Sequence, residues 1–263
     1  MNQPKLRDYQ TVLTRLNSSV ESFGAEVHPI LNLTINGSAY PFQKIVIGKG
    51  NRRKALISAG IHGDEPAGVE TLCAFLEQNH YIHHLPDWEI TLLPCLNPFG
   101  YEYGTRNNHD DMDLNRLFKS THFPSELIAI QGVLQEPFDL SLELHEDCDS
   151  SGFYLYQKER ERPDSEIGRL VLEEVKKIMP INMANEIESQ PAFQGLIHRL
   201  PHPEEMDWWP MSLFSIVRGV RCCLTLETSS GFPLETRIMT HLAAMRTALD
   251  RYPEVFPAWD QAS

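Results

Sequence analysis

Two side chains able to bind a metal stand three residues apart in the stretch Ser58-Ala59-Gly60-Ile61-His62-Gly63-Asp64-Glu65-Pro66. Imidazole and carboxylate are zinc donors, and a catalytic zinc takes three protein ligands and keeps a position open for water. His62 and Glu65 supply two of the three, so another His is required. His145 is the candidate, because it follows the run Leu140-Ser141-Leu142-Glu143-Leu144 and so projects from a strand's carboxyl end. Glu143 shares its strand face by the period of two; it either orients a ligand or pairs with an arginine. Glu227 likewise ends the run Cys222-Cys223-Leu224-Thr225-Leu226. A carboxylate there is costly to bury without partners. Two readings stay open for it: an ion pair at the sheet's edge, or a general base whose proton affinity burial raises. Between the candidate ligands lie Arg106 and Asp113-Leu114-Asn115-Arg116. The planar fork of Arg matches a carboxylate with two parallel hydrogen bonds, so an anionic part of a substrate could dock there.

These residues need a frame that brings them to one edge. The apolar run Ala55 to Ala59 predicts a strand, and Pro66 suits the first turn of a helix reaching about Asn79. Tyr9, Val12, Leu13, Leu16 and Val20 repeat at helical spacing within Leu6 to Phe23. Val27 to Leu33 and Tyr40 to Ile47 flank Asn36-Gly37, a hairpin turn signal. Further strands are expected at Trp88 to Pro94, Asp139 to Leu144, Phe153 to Gln157 and Val220 to Leu226. Helices are expected at Ser125 to Gln135, Ile167 to Met179 and Leu234 to Leu249. Cys95 to Tyr101 reads as a turn, Thr105 to Leu117 as polar and irregular, and residues 180 to 210, with five prolines, as a long loop. His80, His83 and His84 crowd a helix C-terminus, where the dipole favours cations. Strands alternating with helices give an α/β class, a three-layer α/β/α arrangement with a mixed, mostly parallel central sheet. In such sheets ligands bind beyond the carboxyl ends of the strands, where His62, Glu65, His145 and Glu227 all fall.

The formal charge of −13 argues against a nucleic-acid surface, which needs clustered Lys and Arg. No linker or repeat divides the 263 residues, so one catalytic domain over 1–263 is expected. Met1 to Arg15 has neither a signal peptide's apolar core nor a membrane-spanning run. The five cysteines, an odd number without C-x-x-C spacing, suit reduced thiols. A cytoplasmic chain with no membrane association is expected, and the totals leave its oligomeric state open.

In order, His62-x-x-Glu65, Asn97-Pro98-x-Gly100-Tyr101, Arg106, Asp113-x-Asn115-Arg116, His145 and Glu227 resemble the zinc carboxypeptidases related to carboxypeptidase A, over roughly residues 54 to 250. The resemblance implies that His62, Glu65 and His145 hold one Zn2+ per chain. It makes Glu227 the general base, has Arg106 polarise the scissile carbonyl, and has Asn115 and Arg116 hold the substrate's free carboxylate. The implied activity is hydrolysis of an amide next to that carboxylate in a small peptide, by water that the metal activates. One departure is a missing tyrosine: carboxypeptidases usually carry one on a loop shortly before the base, and none lies between Tyr156 and Tyr252. His198, Arg199 and His202 could substitute, and Met206-Asp207-Trp208 faintly resembles a specificity-pocket stretch. The related aspartoacylases and succinylglutamate desuccinylases, which hydrolyse N-acyl amino acids, share Asp-Leu-Asn-Arg and the base. They generally add a small β-rich domain after the base, whereas 36 residues follow Glu227 here (263 − 227). The peptidase reading is therefore preferred, with the acyl-amino-acid deacylase as the alternative. A non-catalytic carboxylate-binding protein is the alternative of another class, and retention of all three ligands and Glu227 speaks against it.

Overall fold

Local signals set the first elements. The Asp8 carboxylate accepts from the Gln10 N–H and caps α1 (Tyr9–Val20). Asn36 and Gly37 take φ of 51° and 82°, the backbone a two-residue hairpin turn requires, and join β1 (Glu26–Ile35) to β2 (Ser38–Ile47). In the computed structural model, which describes residues 4–21, 24–161, 165–198 and 202–257, the chain then alternates strand and helix. β3 (Arg53–Ala59) leads to α2 (Pro66–Glu77), β4 (Trp88–Leu93) to the short α3 (Pro98–Tyr103), and α4 (Ser125–Val133) to β5 (Leu140–Asp147). β6 (Tyr154–Glu159) and α5 (Ile167–Val175) precede three two-residue strands, β7 (Glu186–Ile187), β8 (Gln190–Pro191) and β9 (Leu196–Ile197). α6 (Met211–Val217), β10 (Cys222–Ser229) and α7 (Leu234–Val255) follow.

Eight strands form one sheet in the order β1-β2-β4-β3-β5-β10-β6-β9. Its centre, β4-β3-β5-β10, is parallel, while β2 and β6 join it antiparallel on either side. This is the mixed, mostly parallel sheet flanked by helices that the alternation predicts, with the hairpin at one edge.

The two faces of the sheet differ. Ile57, Leu142, Leu144, Leu224 and Leu226 bury the larger core against α1, α2, α5 and α7. On the other face Leu56 and Cys223 pack with Leu127, Ile130 and Phe214 from α4 and α6. Toward the carboxyl ends that second face turns polar, because the period of two brings up Ser58, Glu143, His145, Thr225 and Glu227 in place of aliphatic residues. The smaller core thus stops where a polar floor begins.

Several boundaries differ from those expected. β5 runs on to Asp147 and β10 to Ser229, so His145 and Glu227 lie within strands and pair with each other across the parallel ladder. Cys95 to Tyr101 holds a short helix, α3, and α6 falls where no helix is expected. The stretch read as polar and irregular nevertheless sends Leu114, fully buried, into the core, and the adjoining Phe118 is nearly so. The long loop of residues 180 to 210 contains the β7–β8 hairpin and the edge strand β9. No helix among the described residues is long and apolar enough to cross a membrane. All five cysteines are free, four of them buried.

The turn after β3 depends on two glycines. Gly60 has φ 63°, a left-handed conformation that a side chain disfavours. Gly63 lies directly on the backbone of Gly100, and a Cβ there would overlap the Gly100 carbonyl carbon. Gly63→Ala must force two turns apart and is expected to destabilise the protein by about 1–3 kcal/mol, read as a lowered melting temperature and weakened zinc binding. An unchanged melt would contradict this packing.

Candidate active site

The turn between β3 and α2 presents His62 and Glu65, and β5 presents His145. The His62 Nδ1 lies 2.7 Å from Glu65 Oε1, and the His145 Nδ1 lies 2.9 Å from Glu65 Oε2. The two imidazole rings are 5.0 Å apart, centroid to centroid. The Glu146 backbone N–H also donates to Glu65 Oε2 at 3.1 Å. One donor atom from each of the three side chains lies within 4.8 Å of the others. Burial lowers the basicity of His62, but Glu65 and Asp113 more than reverse this and pull its pKa up to about 9. Burial likewise works against His145 and Glu65 raises it. Burial would push Glu65 up, yet the two imidazoles hold it well below the usual carboxylate range. Two nitrogens and a carboxylate converging at this distance, all buried, fit the donor set of a single zinc with three protein ligands.

The loop between α3 and α4 is organised by Asp113. Its Oδ1 lies 3.3 Å from His62 Nε2, so it orients the imidazole through the nitrogen not directed at Glu65. Its Oδ2 accepts from Arg106 Nε at 3.1 Å and pairs with Arg116 Nε at 3.3 Å. Burial opposes the charge of Asp113, but His62 and Arg106 bring its pKa down to about 2. Asn97 secures the loop: its Oδ1 accepts from the Gly100 N–H at 2.9 Å and its Nδ2 donates to the Arg106 carbonyl at 3.2 Å. Asn115 Oδ1 accepts from the Met211 N–H at 2.9 Å, at the start of α6. That bond leaves the Asn115 Nδ2 as a donor. Glu146, buried beside the ligands, accepts from the Ala67 N–H in the first turn of α2 and pairs with Arg237 of α7.

One cavity of about 680 Å³ opens over the polar floor. His62, Glu65, His145, Arg106, Asn115, Arg116 and Glu227 all line it. Burial pushes the Glu227 carboxyl up to about 8, His145 acting against that and Glu65 with it. Glu143 also borders the cavity with neither of its oxygens hydrogen-bonded. Burial raises its pKa to about 7 against the pull of His145 and the nearby Thr225 hydroxyl. Of its two expected roles the arginine pair is not formed among the described residues. Met206 and Trp208 line the wall, and the Arg116 guanidinium stacks 5.0 Å over the Trp208 ring. His198 and His202 do not line the cavity, and Arg199 lies outside the described residues. A tyrosine does stand on the wall: Tyr156 of β6, whose hydroxyl donates to Glu188 at 2.9 Å. Sequence reasoning passes over it and over Asp113 as a hub. The available signal for Asp113 is its place in Asp-x-Asn-Arg; for Tyr156 it is the strand period of β6.

A buried zinc triad at the carboxyl ends of a mostly parallel sheet defines a zinc-dependent metallohydrolase. The chain belongs to the family of the succinylglutamate desuccinylase/aspartoacylase catalytic domain, whose model matches residues 51–252. A stretch of 76 residues is 38% identical to murein peptide amidase A of Escherichia coli K12, spanning 28% of this chain and 28% of that one. A protein assigned as a metallopeptidase from Shewanella amazonensis SB2B has a similar structure, with TM-score 0.80, 23% identity and 92% of each chain covered. A metallo-carboxypeptidase from Burkholderia cenocepacia superposes with TM-score 0.67 at 16% identity, covering 94% of this chain and 70% of that one. At such identities these structures speak for the fold alone.

Because His62 in the metal-free site holds its proton up to about pH 9, zinc must displace that proton to reach the lone pair. Zinc uptake at pH 7 should therefore release protons, and affinity should tighten from pH 6 to 8 by about tenfold per unit for each proton displaced. Calorimetry in buffers of different ionisation enthalpy checks both. Asp113→Ala should weaken zinc binding about 10–100-fold.

Proposed function

We propose that the protein is a metallo-amidase of the carboxypeptidase kind, cleaving the amide bond next to a free carboxylate in a short peptide. The observation that carries this reading is one cavity shared by Glu227, the zinc ligands and the pair Asn115 and Arg116. Bound at His62, Glu65 and His145, zinc would polarise the scissile carbonyl and lower the pKa of water toward about 7. Asn115 Nδ2 and the Arg116 fork donate to the substrate carboxylate and set which amide lies over the ligands. Arg106 stands beside Glu65, its Nη1 3.5 Å from Oε1, and faces the carbonyl oxygen as negative charge develops there. Glu227 takes a proton from the attacking water and passes it to the leaving amine. The protonated amine then departs still held by its carboxylate.

A second reading, deacylation of N-acyl amino acids, is favoured by the family model and uses the same residues with an acyl group in place of a peptide. The cavity, at about 680 Å³, has room for a short peptide. A panel of C-terminal dipeptides, γ-glutamyl and diaminopimelate-containing muropeptides, and N-acetyl or N-succinyl amino acids, tested on the zinc-loaded protein, separates the two. Peptides are expected to turn over and acyl amino acids not.

Glu227→Gln should lower turnover by about 10²–10⁴-fold with zinc content unchanged. Survival of activity would remove the base assignment. Arg116→Ala should raise KM for the peptide far more than it lowers kcat, and an amidated C-terminus should abolish the difference between wild type and variant.

A further inference from the structure

Glu143 is the one carboxyl among the five residues of the polar floor that the chemistry above leaves unexplained. The residue is 2% exposed, and neither carboxylate oxygen has a hydrogen-bond partner. Buried polar groups in folded proteins are nearly always satisfied, and an unpaired one is costly to keep. Its neighbours across the ladder offer no cation: Ser58 on β3 and Thr225 on β10 lie level with it. Lys158 lines the same cavity, and no ion pair joins it to Glu143 among the described residues.

The register shows where this carboxyl sits relative to the reaction. His145 and Glu227 form one cross-strand pair, and Glu143 and Thr225 form the pair two residues deeper along the same strands. At about 3.3 Å per residue, Glu143 lies roughly 6–7 Å along the floor from the ligand and base pair. Asn115 and Arg116 border the same space. A residue held by its carboxylate at those two side chains, with its amide over the zinc ligands, would extend its own side chain toward this deeper pair. The end of a four-carbon stem can span that separation.

We propose that Glu143 determines specificity for the carboxylate-bearing residue of the substrate by receiving a cationic side chain, an ammonium or a guanidinium. The inference rests on the carboxylate docking described under Proposed function. It assigns Glu143 a role apart from the chemistry: the carboxyl completes its hydrogen bonds only when the cation is present, and a neutral side chain of equal length leaves it unpaired. Discrimination of this kind is large, because a site built to bond a polar group penalises an analogue that lacks it.

The test compares Ac-Ala-Lys, Ac-Ala-Arg and Ac-Ala-norleucine, with the last residue in both L and D forms, on the zinc-loaded protein. Wild type should prefer a cationic residue to norleucine by at least about 100-fold in kcat/KM. Glu143→Gln should bring that ratio near one while the norleucine rate is kept. A wild-type ratio near one, or equal loss on both substrates in the variant, would overturn the proposal, the latter marking a merely structural role. If Glu143→Gln loses zinc or melts early, Glu143→Asp replaces it: its ratio should fall below that of wild type, and an unchanged ratio counts against the proposal. Calorimetric binding of free lysine and norleucine to Glu227→Gln separates this claim from the proposed reaction. Lysine should bind more tightly, and the difference should vanish in Glu143→Gln/Glu227→Gln. Discrimination without hydrolysis of any peptide would retain the role of Glu143 and remove the amidase reading; hydrolysis without discrimination would do the reverse.

Discussion

The Glu65 carboxylate, clasped between two imidazoles and largely shielded from solvent, constrains the rest of the molecule. His62, Glu65 and His145 are each no more than 5% exposed. Charges buried together are tolerable only when neutralised and hydrogen-bonded on every side. The surroundings supply those bonds: the Glu146 N–H holds Glu65, and Asp113 holds the far nitrogen of His62. Glu146 in turn ties β5 to the first turn of α2 and to Arg237 of α7. The cluster is thus braced by elements distant in sequence and drawn from both halves of the chain.

The sheet makes this economical in residues. Strands at its parallel centre are buried on both faces and read as apolar runs. Near their carboxyl ends a few polar substitutions on one face suffice to build a floor. Pairing in register then sets His145 beside Glu227 and Glu143 beside Thr225. The loops complete the walls, with Asp113 joining His62, Arg106 and Arg116 through one carboxylate.

The metal donors and the parallel strands are legible in the sequence because each rests on local information: a His-x-x-Glu turn, an apolar run, a proline at a helix start. What escapes is what depends on partners far along the chain. Asp113 becomes a hub only when the fold brings it to a histidine 51 residues away. α6 has seven residues, too few for a helical period to register, and its first N–H is held by Asn115 from 96 residues earlier. Tyr156 stands at the cavity because β6 lies antiparallel to β10, not because of its place before Glu227 in the chain. β7, β8 and β9 are two residues each and carry no alternation to read.

The stacking of Arg116 on Trp208 has an optical consequence. Trp208 is 41% exposed and its indole lies beneath the Arg116 guanidinium, and both residues line the cavity. An anion that draws the guanidinium aside changes the electric field across the ring. Indole emission responds to that field, so the molecule carries an intrinsic fluorophore at the threshold of its pocket.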